Sequence, residues 1–190
     1  STYLREEIQA EALTRNVQAF SGFLDLIALS NGQELSYEGL SQDCQISAST
    51  VKNYIQLLED TLIGFRLPGY TKTVKRKAIS RAKHYLFDIG VLEVRAFNGY
   101  CRRRAELRYW RSQSKMEVDL VINDQLAIEV KSTHLVQDKH LKGLRALKEE
   151  DLVERFLLVS LDPDIRKTSD NIEILPWWEF LGLLWQERLF

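Results

Sequence analysis

Nineteen residues, Lys115 to Thr133 (KMEVDLVINDQLAIEVKST), constrain the fold more than any other part of the chain. They alternate as two strands around a short turn. Val118, Leu120 and Ile122 alternate with Glu117, Asp119 and Val121, then Ile128 and Val130 with Glu129 and Lys131. Successive strand side chains point to opposite faces, so Glu129 and Lys131 share a face, as do Glu117 and Asp119. Register decides whether the two charged faces coincide. A two-residue loop sets Asp119 opposite Ile128 and mixes polar with apolar on both faces. A three-residue loop, Asn123-Asp124-Gln125, sets Asp119 opposite Glu129 and Glu117 opposite Lys131, leaving one consistent apolar face. A buried face is what selects register, so the three-residue loop is expected.

That register has a chemical consequence. Two carboxylates opposed across a strand pair repel, so the site requires a raised carboxylate pKa or a cation. Lys131 supplies one positive charge. Carboxylate oxygens with open positions suit Mg²⁺ or Mn²⁺, and a nearby lysine can polarise a water or steady a scissile phosphate. An acid-x-lysine triplet alone is more often a solvated strand face than a site; the weight comes from the partner acid on the neighbouring strand. Asp119, nine residues, then Glu129-Val130-Lys131 resembles the active-site signature of the PD-(D/E)XK nuclease superfamily. The resemblance implies Asp119 and Glu129 as metal ligands, catalytic together with Lys131.

A chain of 190 residues can bury a substantial core as one large domain or two small ones. With 45% hydrophobic and 28% charged residues it reads as globular, not disordered. The net charge of -1 conceals an asymmetry: Lys72 to Lys115 holds thirteen Lys/Arg against Asp88, Glu93 and Glu106, a local excess of +10. Cys44 and Cys101 lack metal or redox spacing, and neither a signal peptide nor a membrane-length apolar run is present. The expectation is a cytoplasmic chain with two reduced thiols and no membrane partner. No glycine-rich phosphate loop ending in Gly-Lys-Ser/Thr occurs, which excludes a P-loop within these residues.

In chain order, Thr2 to Asn16 reads as a helix with Leu4, Ile8, Ala12 and Leu13 on one stripe. Opening on a helix without a starting methionine, the chain reads as part of a longer protein. Val17 to Leu29 is a second, more apolar helix closed by Asn31-Gly32. Ser36 then caps a short helix over Tyr37 to Gln42, and Ser47 or Ser49 a longer one through Leu58 and Leu62, burying Val51, Tyr54, Ile55 and Leu58. Thr50, Lys52, Asn53 and Gln56 face out, the arrangement of a helix-turn-helix. Gly64 to Leu67 and His84 to Phe87 read as strands flanking a basic loop, which makes a winged helix. Lys52 is the one cation on the second helix, and phosphate contacts need cations. That helix is therefore as good a protein-docking surface as a base reader. The loop is the better nucleic-acid candidate, through Lys72, Lys75, Arg76, Lys77, Arg81 and Lys83, although charge runs are usually solvated.

Leu92 to Arg103 reads as a helix with Gly99 inside it, and Glu106 to Arg111 as a strand adding Arg108 and Arg111 to the basic set. After the hairpin come a helix from Leu135 to Glu149 and a buried strand from Glu154 to Leu161. A loop from Pro163 to Asp170, a short edge strand from Ile172 to Leu175 and a terminal helix opened by Pro176 follow. Trp177, Trp178 and Trp185 on that helix are expected in the core or at an interface, a homo-oligomeric one included. The fold class is α/β (α+β): a helical winged-helix domain over residues 1–88, then a PD-(D/E)XK restriction-endonuclease-like α/β sandwich with a mixed sheet over residues 89–190. In that fold a helix before the first strand often brings a further acid; Glu93 is the candidate and Glu106 the reserve.

The segments TYLREEIQAEALTRN, LLEDTLIGFRLPGY, HYLFDIG, YWRSQSKMEVD and AIEVKS, with the helix-turn-helix, together resemble the C-terminal portion of prokaryotic AAA-type ATPases carrying the domain of unknown function 4143. That resemblance implies an ATP-binding module N-terminal to this chain, then a winged helix and a nuclease-like domain. Asp119, Glu129 and Lys131 match its acidic and lysine positions, and Glu93 lies in its LEVRAF-like helix. One departure is that Gly90-Val91 runs almost straight into that helix, where such proteins carry a further stretch. Three functions remain in view: a Mg²⁺- or Mn²⁺-dependent nuclease, a DNA-binding regulatory domain with an inert nuclease-like site, and a module docking partners onto the ATPase.

Overall fold

The computed structural model describes residues 17–61, 63–86 and 89–190. The helix expected over Thr2 to Asn16 lies outside them, as do Leu62, Phe87 and Asp88. The chain forms two compact units, Ser1–Arg66 with Arg81–Asp88 and Leu67–Ser80 with Ile89–Phe190. Among the described residues, no helix is long and apolar enough to cross a membrane.

The first unit follows the expected helices. α1 (Val17–Leu29) buries Phe20, Phe23 and Ile27 at helix-face spacing. α2 (Tyr37–Cys44) is capped by Ser36, whose Oγ accepts the Gly39 N–H at 3.1 Å. Ser47, not Ser49, caps α3 (Ala48–Asp60), accepting the Thr50 N–H at 3.1 Å. Val51, Tyr54, Ile55 and Leu58 turn inward onto α1, with Tyr54 edge-on to Phe20 at 4.9 Å between ring centres. Lys52, Asn53 and Gln56 stay exposed, while Thr50 is half-buried. β1 (Gln33–Glu34), β2 (Gly64–Leu67) and β3 (Lys83–Leu86) form a sheet ordered β1-β3-β2. The two-residue β1 was not foreseen, being too short to show a period. Gly32 enters it at φ 70, a conformation that favours glycine.

The second unit is built on a six-stranded mixed sheet ordered β4-β5-β6-β7-β9-β8. α4 (Ile89–Tyr100) precedes it, starting and ending earlier than expected. β4 (Leu107–Arg111), β5 (Glu117–Ile122) and β6 (Leu126–Lys131) run antiparallel, and β6, β7 (Arg155–Ser160) and β9 (Ile172–Pro176) parallel. The crossover from β6 to β7 carries a 3₁₀ turn (Asp138–Leu141) and α5 (Lys142–Lys148), shorter than the helix expected from Leu135. Its approach is pinned, because the Val136 N–H donates to the buried Asp162 carboxylate at 2.9 Å. Leu141, Leu144 and Leu147 then cover Val121, Ala127, Phe156 and Leu158 on one sheet face. Ile172 to Leu175, expected at the edge, is interior; β8 (Arg166–Lys167), within the expected loop, takes the edge. On α6 (Trp177–Trp185), Phe180 and Leu184 are buried while Trp177, Trp178 and Trp185 are about half exposed.

The basic segment, expected to loop out from the first unit, packs with the second. Tyr70 N–H donates to Tyr109 O at 2.6 Å and Ile79 N–H to Arg111 O at 2.7 Å, which covers the outer edge of β4. The buried Glu150 carboxylate accepts the N–H groups of Val74, Lys75 and Arg76 at 2.9, 2.8 and 2.8 Å. Backbone donors converging on one carboxylate form an anion-binding concavity filled from within the chain.

Candidate functional site

The hairpin adopts the three-residue loop. Leu120 pairs with Ile128, Val121 with Ala127 and Ile122 with Leu126, which brings Asp119 opposite Glu129. The ladder itself stops there. Asp119 N–H donates to Glu129 Oε2 at 3.3 Å, and Val130 N–H donates to Asp119 Oδ2 at 2.9 Å. Side chains thus replace the next pair of inter-strand bonds.

A bulge explains why. Between Arg108 and Trp110 on β4 the register shifts, so that Asp119 and Leu120 together face Tyr109. An extra residue bends its strand and re-aims side chains. It also breaks the simple alternation: Val118 joins Val121 and Ala127 in the core under α5, instead of sharing a face with Leu120 and Ile122. Periodicity alone cannot foresee that slip. Gly143 fits the same corner closely, since a Cβ on it would lie 1.8 Å from Glu117 O. The start of α5 therefore rests on the backbone of β5 beside the site.

Glu129 is 5% exposed and Lys131 half-buried, and the two form an ion pair. Burial, then the neighbouring Asp119 charge, pushes the Glu129 carboxyl up to about 8, against the pull of Lys131 and its hydrogen bonds. Burial works to lower the Lys131 ammonium, but Glu129, Asp119 and Glu117 outweigh it and hold the group above its usual value. Glu117 itself pairs with Arg111 at 3.5 Å. Asp119, Glu129 and Lys131 thus meet in one cluster with more acid than base, the condition under which a cation is favoured.

Glu93 does not complete a triad. It lies half-buried on α4, and Glu106 is bound to Arg108. Among the described residues, no group of three or more His, Cys, Asp or Glu side chains stands ready to hold a metal ion. The protein side therefore offers two carboxylates. Mg²⁺ is commonly held by one or two carboxylates with waters and substrate phosphates completing its shell, so Asp119 and Glu129 fit such an ion.

The basic candidates are largely engaged by acids. Lys72 pairs with Asp124 at 2.6 Å, Arg76 with Glu149 and Glu150, Arg108 with Glu106 and Arg111 with Glu117. Lys75 donates to the Glu149 carbonyl. Lys52, Lys77 and Arg81 are exposed, Lys52 on α3. Sequence reasoning missed the acids that neutralise this segment. Asp124 appeared as a turn residue, and Glu150 lay just past the end of the expected helix, with no signal of their distant partners.

The model of one family, domain of unknown function DUF8612, matches residues 1–98, and that of a second, domain of unknown function DUF4143, matches residues 91–180. Neither a curated protein nor a solved structure is found to match.

Proposed function

This chain belongs to the DUF8612 family, and from that premise we propose that it is the C-terminal part of an AAA-type ATP-binding protein, with a nucleic-acid-binding first unit and a nuclease-like second unit. The match of residues 91–180 to DUF4143 supports that placement. ATP would bind on the protein's own ATPase module, outside these residues. The order helix, strand, two helices, two strands, with the sheet β1-β3-β2, supports a winged helix-turn-helix. In the second unit, a three-stranded antiparallel meander and a helical crossover to a parallel strand support the PD-(D/E)XK reading.

The cluster of Asp119, Glu129 and Lys131 carries the functional reading. Asp119 and Glu129 are the ligands for Mg²⁺ or Mn²⁺. Once bound, such an ion stabilises charge on a phosphoryl oxygen and acidifies a water. Metal and proton compete for Glu129, so binding is coupled to loss of its proton. Lys131, released from exclusive pairing with Glu129, orients the attacking water or steadies the scissile phosphate. The substrate class is DNA, held by the exposed Lys52, Lys77 and Arg81 and by whichever other cations a phosphate can win from their acids.

A second reading, a DNA-binding module with an inert centre, is favoured by one observation: Lys131 is closed on Glu129 with no third acid in a metal-binding group among the described residues. Cleavage and binding assays on mixed DNA substrates with Mg²⁺ or Mn²⁺ separate the two. The nuclease reading expects metal-dependent cleavage that Glu129→Ala abolishes while binding survives. Binding without cleavage in either protein selects the inert module, and full cleavage by Glu129→Ala removes the site assignment.

A further inference from the structure

Asp119, Glu129 and Lys131 carry more acid than base, so a phosphate backbone that approaches them without a metal meets repulsion. A strand can lie there only if further cations beside the cluster offset that charge. The second unit places two lysines at the same end of its sheet.

Lys115 is the first. It is exposed in the turn between β4 and β5, where its N–H donates to Ser112 O at 3.0 Å. A left-handed φ of 64 closes that turn. Four residues of chain separate it from Asp119, at most about 14 Å. The Lys77 carbonyl accepts the Gln113 N–H of this turn at 3.0 Å, which brings another exposed lysine alongside.

Lys142 is the second. It opens α5 at an exposed position, one residue before Gly143. Gly143 rests so closely on β5 that a Cβ would lie 1.8 Å from Glu117 O. Glu117 is in turn two strand residues, about 7 Å, from Asp119. Packing of α5 on β5 therefore keeps Lys142 beside the start of the strand that bears Asp119.

These lysines differ from most of the basic set in being unengaged. Neither the Lys115 nor the Lys142 side chain has a hydrogen bond or ion pair to a described residue. Two acids that could quench them are paired elsewhere, Glu117 with Arg111 at 3.5 Å and Asp138 with Arg145 at 3.2 Å. Lys72, Arg76 and Arg108, by contrast, must leave an acid before they can meet a phosphate.

We infer that Lys115 and Lys142 hold the backbone of a DNA strand against the end of the sheet that carries Asp119 and Glu129. Each lies within roughly four nucleotides of Asp119, at about 3.4 Å of rise per charge along one strand. The inference rests on the reading of DNA as the substrate, and it names the contacts that bring DNA to the centre.

Fluorescence anisotropy of a labelled DNA duplex with the whole chain, in EDTA across a salt series, tests it. Lys115→Gln and Lys142→Gln should each weaken binding about threefold at low salt and lower the slope of log K against log salt by about 0.9. Lys142→Arg should keep the parent slope. Lys167→Gln removes an exposed cation from β8, at the edge of the sheet opposite β4, and should change nothing. Asp119→Asn keeps an acceptor for the Val130 N–H and removes the repulsion, so it should tighten metal-free binding about threefold. Indifference to both lysine substitutions, an equal loss from Lys167→Gln, or no change from Asp119→Asn overturns the inference and leaves the centre to its own cleavage assay. A parent chain that binds no DNA at low salt removes the DNA reading, and the inference with it.

Discussion

Glu129 reaches across its hairpin to accept the backbone N–H of Asp119 at 3.3 Å, and Asp119 answers by accepting the N–H of Val130 at 2.9 Å. This exchange keeps two carboxylates side by side at the one place where the β5–β6 ladder opens. Stability is spent to hold them, since Glu129 is buried against a like charge with a single lysine to offset it. Carboxyls shifted by burial beside a second charge cluster at functional sites.

The expense depends on pH. A carboxyl whose folded-state pKa lies above its unfolded value binds its proton more tightly in the folded state. The contribution of Glu129 is therefore whole below about 4.5 and is lost as pH rises through about 8. Glu129→Gln cannot ionise and escapes the loss, while the half-buried Lys131 turns to water. The variant should be about 1–3 kcal/mol more stable than the parent at pH 8, with a much smaller gap at pH 4.5. Urea unfolding at both values reads the difference, and equal gaps would contradict it.

A second consequence concerns the segment covering β4. Three backbone N–H groups, of Val74, Lys75 and Arg76, end on the buried Glu150 carboxylate. Glu150→Ala leaves them without that acceptor and should cost about 3 kcal/mol. Trypsin should then cut after Lys75, Arg76 or Lys77 at urea concentrations where the parent is still intact. Unchanged digestion would mean that the bridges to β4 hold the segment alone.

These two cases mark what was legible in the chain. Glu129, Asp119 and the loop between their strands follow from alternation, because only one register buries a consistent face. The helix cap at Ser36, the choice of Ser47 or Ser49 for the next, and the stripe Val51, Tyr54, Ile55 and Leu58 are equally local. The bulge facing Tyr109 is not local, being set by how β4 meets β5, and it moved Val118 to the other face. The partners of Lys72 to Lys77 were illegible for the same reason: a run of cations shows its charge but not the acids, 52 to 76 residues away, that hold the segment. Where Glu93 lies relative to Asp119 depends on how α4 packs, which spacing along the chain does not reveal.

Gly143 offers a test of that packing. Its Cα lies so near Glu117 that a methyl group would overlap the carbonyl oxygen, a backbone atom that cannot swing aside. Gly143→Ala must push α5 away from β5 and should cost about 2 kcal/mol or more, against the small gain alanine brings to an ordinary helix. Thermal unfolding measures it. Because Glu117 is two residues from Asp119, the variant should also lower metal-dependent activity or metal affinity beyond what its stability loss explains. A rise in melting temperature would show that the contact is looser than it looks.

The last expectation concerns DNA. Lys72 is tied to Asp124 at 2.6 Å, and Asp124 also accepts from Tyr70 Oη at 2.9 Å. A phosphate must compete with that carboxylate, so the +10 excess between Lys72 and Lys115 overstates the charge available to a strand. Asp124→Asn keeps the shape and the acceptor for Tyr70 but removes the competing charge. It should raise DNA affinity at low salt about threefold and steepen the dependence of log K on log salt by about one counterion, near 0.9 in slope. Lys77→Ala, which removes an exposed cation of the same segment, should do the reverse. Fluorescence anisotropy across a salt series distinguishes the outcomes. If neither substitution moves the affinity or the slope, DNA does not run along this segment, and the exposed face of α3 with Lys52 becomes the surface to mutate next.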